Sequence, residues 1–303
     1  MAFVSTTMKN YLAFFTTLNL DKLNAYLELM RMHRPIGILL LLWPTLVSLW
    51  IAERGFPDID LLMIFFAGVV VMRSAGCVIN DHADRKVDGA VSRTKSRPLV
   101  TGLVTKEEAR VLFFLLMTFA LVLVLFLNIN TLYWAIAGAL LTMIYPLAKR
   151  FTWFPQVILG ATFGWCVPIA FVASEQPVNE LVWLIYFTNL IWIVMYDTLY
   201  AMVDREDDLS VGIRSTAILF GDADRMIIGM MQAMTLAGML IIGLTQNYGL
   251  WYQLPMLGVA GLFIYQQYLI KDRLPANCFK AFLNNNYVGA VWFLAVLLQF
   301  LMH

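Results

Sequence analysis

The stretch LLMIFFAGVVVMRSAGCVINDHADRKVDG (61–89) decides how the chain is read. Residues 61–79 are apolar apart from Arg73 and Ser74, and such a run is close to the ~20 residues that a helix needs to cross hydrocarbon. It then breaks into carboxylates and cations within a few residues. A later stretch, YDTLYAMVDREDDLSVGIRST (196–216), repeats the pattern of a greasy helix running out through acidic groups. Any reading of the chain has to account for both.

The surrounding composition sets the class. Of 303 residues, 61% are hydrophobic and 14% charged, against about 25% charged in ordinary soluble domains. Nine apolar spans are expected, at 36–52, 60–79, 110–127, 131–147, 156–173, 181–200, 226–244, 251–270 and 284–301. This predicts an all-α, polytopic membrane protein forming one transmembrane domain over 1–303, with residues 1–34 as an N-terminal arm. The first 30 residues alternate loosely enough for an interfacial amphipathic helix. The connections alternate in charge, with 19 of the 21 Lys and Arg falling on one side. By the positive-inside rule, that side is cytoplasmic and holds the N-terminus and both acidic stretches, leaving the C-terminus outside.

Other classes are set aside by the same residues. The net charge of +1 gives no reason to expect nucleic acid. The three cysteines and three histidines are scattered, without the spacing of a zinc site. The N-terminus lacks the basic region, apolar run and cleavage site of a signal peptide. Thr105 and Glu108 form a T-x-x-E capping box ahead of the third span. Pro35 suits a helix start, and Pro44 and Pro168 should kink the spans that contain them. Gly160 and Gly164 read as a close helix–helix contact.

The acidic stretches share a spacing. Asn80, Asp84 and Asp88 recur every four residues, and at about 100° per residue they fan across about 80° of one helical face. Tyr200, Asp204 and Asp208 repeat this 120 positions later. Both sets lead into basic hydroxyl clusters, SRTKSRP (92–98) and IRST (213–216). Solvated helix ends would explain a single Asp but not two matched sets. Carboxylates facing one another across a bundle repel unless a cation lies between them. Oxygen ligands completed by a substrate suit Mg²⁺, which keeps waters and accepts phosphate oxygens. Arg93, Arg97, Lys149, Arg150 and Arg214 would meet the remaining phosphate charge. Arg73, about two turns inside its span, is costly to bury. It either snorkels to the interface or pairs with a small anion such as an aromatic carboxylate.

The motifs NDxxDxxxDxxxxRTxxRP (80–98) and DTxYAxxDxxDD…STAILFG (197–221) resemble those of the UbiA superfamily of intramembrane aromatic prenyltransferases. RPIGILLLLWPT (34–45), MRSAGCVIND (72–81), YPLAKR (145–150), PQVILGATFGW (155–165) and FKAFLNNNYVG (279–289) are similar to its 4-hydroxybenzoate branch. The likeness runs from about residue 22 to residue 300. It implies nine transmembrane helices around a central cavity that opens laterally to lipid. It implies transfer of a polyprenyl chain from polyprenyl diphosphate to the carbon ortho to the hydroxyl of 4-hydroxybenzoate, an early ubiquinone step in a bacterial inner membrane.

By position, Asn80, Asp84, Asp88, Asp204 and Asp208 would hold two Mg²⁺ ions. Arg93, Lys149 and Arg150 would contact the diphosphate and Tyr200 the diphosphate or the metal shell, with Arg34, Arg97 and Arg214 also on the substrate side, and Arg73 would take the benzoate. The catalytic set is then Asp84, Asp204 and Arg73. Asp204 or released diphosphate would remove the ring proton, and the sequence leaves open whether Asp81 and Asp197 take part in that step or orient the ligands. Substrates and bilayer are the expected partners, with no nucleic acid and no obligate protein. The competing readings are a different acceptor within the superfamily, and a transporter, which should instead place polar residues at the membrane midplane.

Overall fold

A computed structural model describes residues 19–85, 88–90 and 94–302. These contain helices and turns and, among the described residues, no strand. In chain order the helices are α1 (Leu20–Leu29), α2 (Ile36–Glu53), α3 (Ile59–Asp84), α4 (Pro98–Thr101), α5 (Lys106–Val124), α6 (Ile129–Phe151), α7 (Pro155–Gly164) and α8 (Cys166–Ala173). They continue with α9 (Glu180–Val203), α10 (Arg205–Val211), α11 (Thr216–Phe220), α12 (Asp224–Thr245), α13 (Leu250–Leu269) and α14 (Pro275–Leu301).

Among the described residues, seven segments are long and apolar enough to cross a membrane: α2, α3, most of α6, the α7–α8 pair, α9, the α11–α12 stretch and α14. The other two expected spans coincide with α5, which opens on the charged KEEAR, and α13, which carries Tyr and Gln. Local chemistry sets several boundaries. Pro35 stands directly ahead of α2 at φ −67°. The capping box opens α5, with Thr105 N donating to Glu108 Oε2 at 2.7 Å and Glu108 N to Thr105 Oγ1 at 3.2 Å. Pro44 lies inside α2. The span 155–173 is cut at Trp165 into α7 and α8. Pro168 explains this cut, because it has no N–H for the Gly164 carbonyl and its ring crowds that group.

Lipid gives helices little hydrophobic reason to associate, so close packing and polar contacts must do so. Gly160 and Gly164 serve that end, since a Cβ on them would press on Leu190 and Tyr186 of α9 at 3.1 Å. Three consecutive asparagines of α14 bind three other helices. Asn284 Oδ1 accepts from Gln266 of α13 at 3.0 Å. Asn285 Oδ1 accepts from Trp192 Nε1 of α9 at 3.0 Å. Asn286 Oδ1 accepts from Trp43 Nε1 of α2 at 2.8 Å. Successive helical residues point about 100° apart, so one turn reaches all three neighbours. Trp192 and Asn285 are both fully buried. Asn285→Ala should therefore strand the indole N–H and lower stability by about 1–3 kcal/mol, read as a fall in the unfolding midpoint in detergent.

The largest buried cluster joins α2, α7 to α9 and α12 to α14. A smaller one, around Tyr26, Leu29, Val78 and Phe113, joins α1, α3 and α5. Lys22 Nζ of α1 reaches Glu108 Oε1 of α5 at 2.8 Å, so one carboxylate both caps a helix and anchors the arm. Residues 1–18 of the expected arm lie outside the described residues.

Candidate functional site: one cavity, acidic at one end and apolar beyond

The two acidic motifs sit at the matching ends of α3 and α9. Asn80 and Asp84 occupy the last turn of α3, but Asp88 opens a separate 3-10 turn. Tyr200 is within α9, Asp204 is the junction residue at φ −98° and ψ 6°, and Asp208 belongs to α10. The expectation of one continuous helical face through each motif is thus corrected. The first helix stops where the Arg85 guanidinium donates to the His82 carbonyl at 2.5 Å, satisfying an acceptor that a further turn would have used. The second bends at Asp204, yet Asp208 N still donates to the Asp204 carbonyl at 2.8 Å. The four-residue spacing survives the bend.

Asn80, Asp81, Asp84, Asp88, Asp197, Tyr200, Asp204 and Asp208 all line one cavity of about 740 Å³. Its deeper walls are apolar. Phe114 and Leu121 of α5 and Ile136 of α6 line it while remaining 64%, 47% and 50% exposed. The cavity therefore reaches the outer face of the bundle between those helices.

A buried ion network shapes the first motif. Asp81, 1% exposed, accepts from Arg31 Nη2 on both oxygens, at 3.0 and 2.8 Å. Arg97 Nη1 lies 2.9 Å from Asp81 Oδ1 and 2.6 Å from Asp88 Oδ2. Arg31 holds a left-handed backbone at φ +60°, a conformation costing a non-glycine residue about 1 kcal/mol or more and found where surroundings enforce it. Burial raises the Asp88 carboxyl above the usual carboxylate range; Arg97 opposes this and Asp81 and Asp84 add to it. A divalent cation would relieve that crowding.

The second motif is fastened differently. Arg205, next to Asp204, pairs with the fully buried Asp224 at the start of α12. Asp224 also takes Arg273 at 2.9 Å, which ties the motif to the connection ahead of α14.

The residues fit Mg²⁺ bound together with a phosphate. Among the described residues, no three of His, Cys, Asp and Glu form a group that could hold a metal ion by themselves. The buried Asn80 Oδ1 has no hydrogen-bond partner among the described residues. All-oxygen donors of this kind, incomplete without a ligand, match the way Mg²⁺ is usually held.

The expected cations divide. Arg34, Arg73, Arg97 and Arg214 line the cavity, although Arg97 is engaged by Asp81 and Asp88. Arg150 is exposed and donates to the Ala83 carbonyl at 2.8 Å, beside Asp84. Arg214 donates to the Phe151 carbonyl at 3.2 Å and lies 5.2 Å from the Trp153 ring centroid. Arg93 and the side chain of Lys149 fall outside the described residues.

Arg73 lies deeper. Its guanidinium crosses the backbone of α2 at Gly37, where any Cβ would collide with it. It donates to Cys77 Sγ and sits 5.9 Å from the Phe163 ring centroid. It faces the cavity. The four-residue spacing gives no sign of Arg31, in sequence only a flanking charge, or of Asp224, whose partners Arg205 and Arg273 lie 19 and 49 residues away. Tyr196 reads in sequence as one more core aromatic.

Residues 41–296 match the model of the UbiA prenyltransferase family. The chain belongs to that family. A 4-hydroxybenzoate octaprenyltransferase of Saccharophagus degradans is 54% identical over 91% of this chain and 92% of the relative. One from Citrobacter koseri is 51% identical over 94% and 98%. Among solved structures, a UbiA homologue from Aeropyrum pernix superposes with a TM-score of 0.74 at 24% identity, covering 84% of this chain and 94% of that one. A UbiA homologue from Archaeoglobus fulgidus bound to GPP and Mg²⁺ gives 0.69 at 16% identity, covering 90% and 99%. At such identities these likenesses carry the UbiA fold alone.

Proposed function

We propose that the chain transfers a polyprenyl group from polyprenyl diphosphate to the ring carbon ortho to the hydroxyl of 4-hydroxybenzoate, releasing diphosphate, in ubiquinone biosynthesis. The observation that carries this reading is that both acidic motifs, Arg73 and an apolar arm reaching the lipid-facing surface share one cavity. The names of relatives at 50–54% identity over most of the chain support the acceptor.

In this reading Asn80, Asp84, Asp88, Asp204 and Asp208 hold two Mg²⁺ ions, and Tyr200, Arg34, Arg93, Lys149, Arg150 and Arg214 receive the diphosphate. Bound Mg²⁺ supplies charge neutralisation for the leaving diphosphate. Asp81 keeps Arg97 and Arg31 in place around the first motif. The aromatic wall formed by Tyr200, Phe279 and Phe282, with ring centroids 4.9–6.3 Å apart, offers π faces to an allylic cation and excludes water from it. Asp204 or the departing diphosphate accepts the ring proton. One domain spans 1–303, crosses the bacterial inner membrane nine times and keeps its N-terminus and acidic end cytoplasmic, with the C-terminus outside.

The test is purified protein with Mg²⁺, a ladder of prenyl diphosphates and a panel of acceptors including 4-hydroxybenzoate and a dihydroxynaphthoate, read by product mass. A prenylated 4-hydroxybenzoate is expected, lost on chelation. Turnover of another acceptor alone would overturn the assignment.

A further inference from the structure

We infer that the hydroxyl of Tyr196 is the second hydrogen-bond donor to the carboxylate of the aromatic acid, shared with Arg73. This deepens the function proposed above and rests on it. Tyr196 lies in α9 and is 2% exposed. Its ring is held edge-on, 5.5 Å from Trp192 and 6.0 Å from Phe282 between centroids. The residue lines the cavity, yet its buried hydroxyl has no hydrogen-bond partner among the described residues. Buried tyrosine hydroxyls nearly always have one. Arg73 lines the same cavity with its buried Nε in the same condition. A guanidinium with an unpartnered Nε and an unpartnered phenol in one cavity specify an anion with several lone pairs, and a carboxylate has about four acceptor directions.

Depth selects which end of the acceptor they meet. Arg73 stands seven residues before Asn80, and Tyr196 eight before Asp204. At 1.5 Å per residue their Cα atoms lie about 10–12 Å below those of Asn80 and Asp204, and the Arg73 guanidinium turns back towards that end to reach Cys77. The prenyl carbon under attack is attached to the diphosphate, at the acidic level. The ring carbon ortho to the hydroxyl must reach up to it, so the carboxylate opposite that hydroxyl points down. It arrives where Arg73 supplies charge and Tyr196 supplies an uncharged donor of fixed direction.

Tyr196→Phe keeps the ring and its packing and removes only the oxygen. The dissociation constant of 4-hydroxybenzoate and its KM should each rise about 10-fold, as for a hydrogen bond to a charged group. The KM for prenyl diphosphate, the Mg²⁺ requirement and the unfolding midpoint should stay unchanged, which a merely structural role would not allow. An acid affinity within twofold of wild type would overturn the inference, as would a rise confined to prenyl diphosphate. Wild-type protein that fails to prenylate 4-hydroxybenzoate overturns the function itself and this assignment with it. The wild type thus judges the one and the variant the other.

Discussion

Asp204→Ala and Asp84→Ala should each lower kcat by on the order of 10³-fold or more while the protein still inserts and folds. Removing one preorganised electrostatic group aimed at a developing charge costs about 10²–10³, and each of these residues serves a charge shared by the whole site. Both line one cavity from the C-terminal ends of two helices, Asp84 closing α3 and Asp204 joining α9 to α10. Neither belongs to the main buried apolar clusters, so thermal stability should change little. The measurement is single-turnover prenylation at saturating substrates across a range of Mg²⁺. Near-normal rates at high Mg²⁺ would remove the metal role. A loss of equal size in stability would make the effect one of folding. Asp224→Asn is a useful contrast, because it disturbs Arg205 and Arg273 without touching the cavity wall.

Arg73→Ala should raise the KM for the aromatic acid by about 10–100-fold, the range for a lost charge-assisted hydrogen bond. The prenyl diphosphate KM should hold within about threefold, since seven residues of helix separate the Arg73 and Asn80 backbones by about 10 Å. Arg73→Lys should recover part of the affinity but not all, because a lysine carries the charge without the planar fork. Steady-state kinetics with each substrate varied in turn separates the two effects. An unchanged acid KM in the alanine variant would take Arg73 out of the acceptor site.

Much of the fold was legible because membrane helices announce themselves one at a time. Length, apolarity and the Thr105–Glu108 box place α5 without any tertiary information, and Pro168 foretold a disturbance near the α7–α8 cut. The four-residue spacing picked out Asn80, Asp84 and Asp88, and Tyr200, Asp204 and Asp208, and all six line one cavity. It misjudged how they are grouped: the backbone leaves the helix after Asp84 and again at Asp204, and periodicity cannot register a bend that keeps the interval. What stayed hidden depends on partners distant in sequence. Nothing near Arg31 says that it will clasp Asp81, fifty residues on, or that Asp224 will gather Arg205 and Arg273. Tyr196 stayed hidden for another reason. A missing hydrogen bond has no signature in a string of letters, only in three dimensions.

The asparagine triplet on α14 has a mechanical corollary. Sliding or rolling that helix by a single position would break its bonds to Trp43, Trp192 and Gln266 in the same instant, so no gradual path leads from one register to the next. α2, α9, α13 and α14 are therefore latched into a stiff stave of the bundle. Any breathing that lets a long isoprenoid enter or leave must be borne by the opposite flank, where α5 and α6 stand with their side chains toward the lipid.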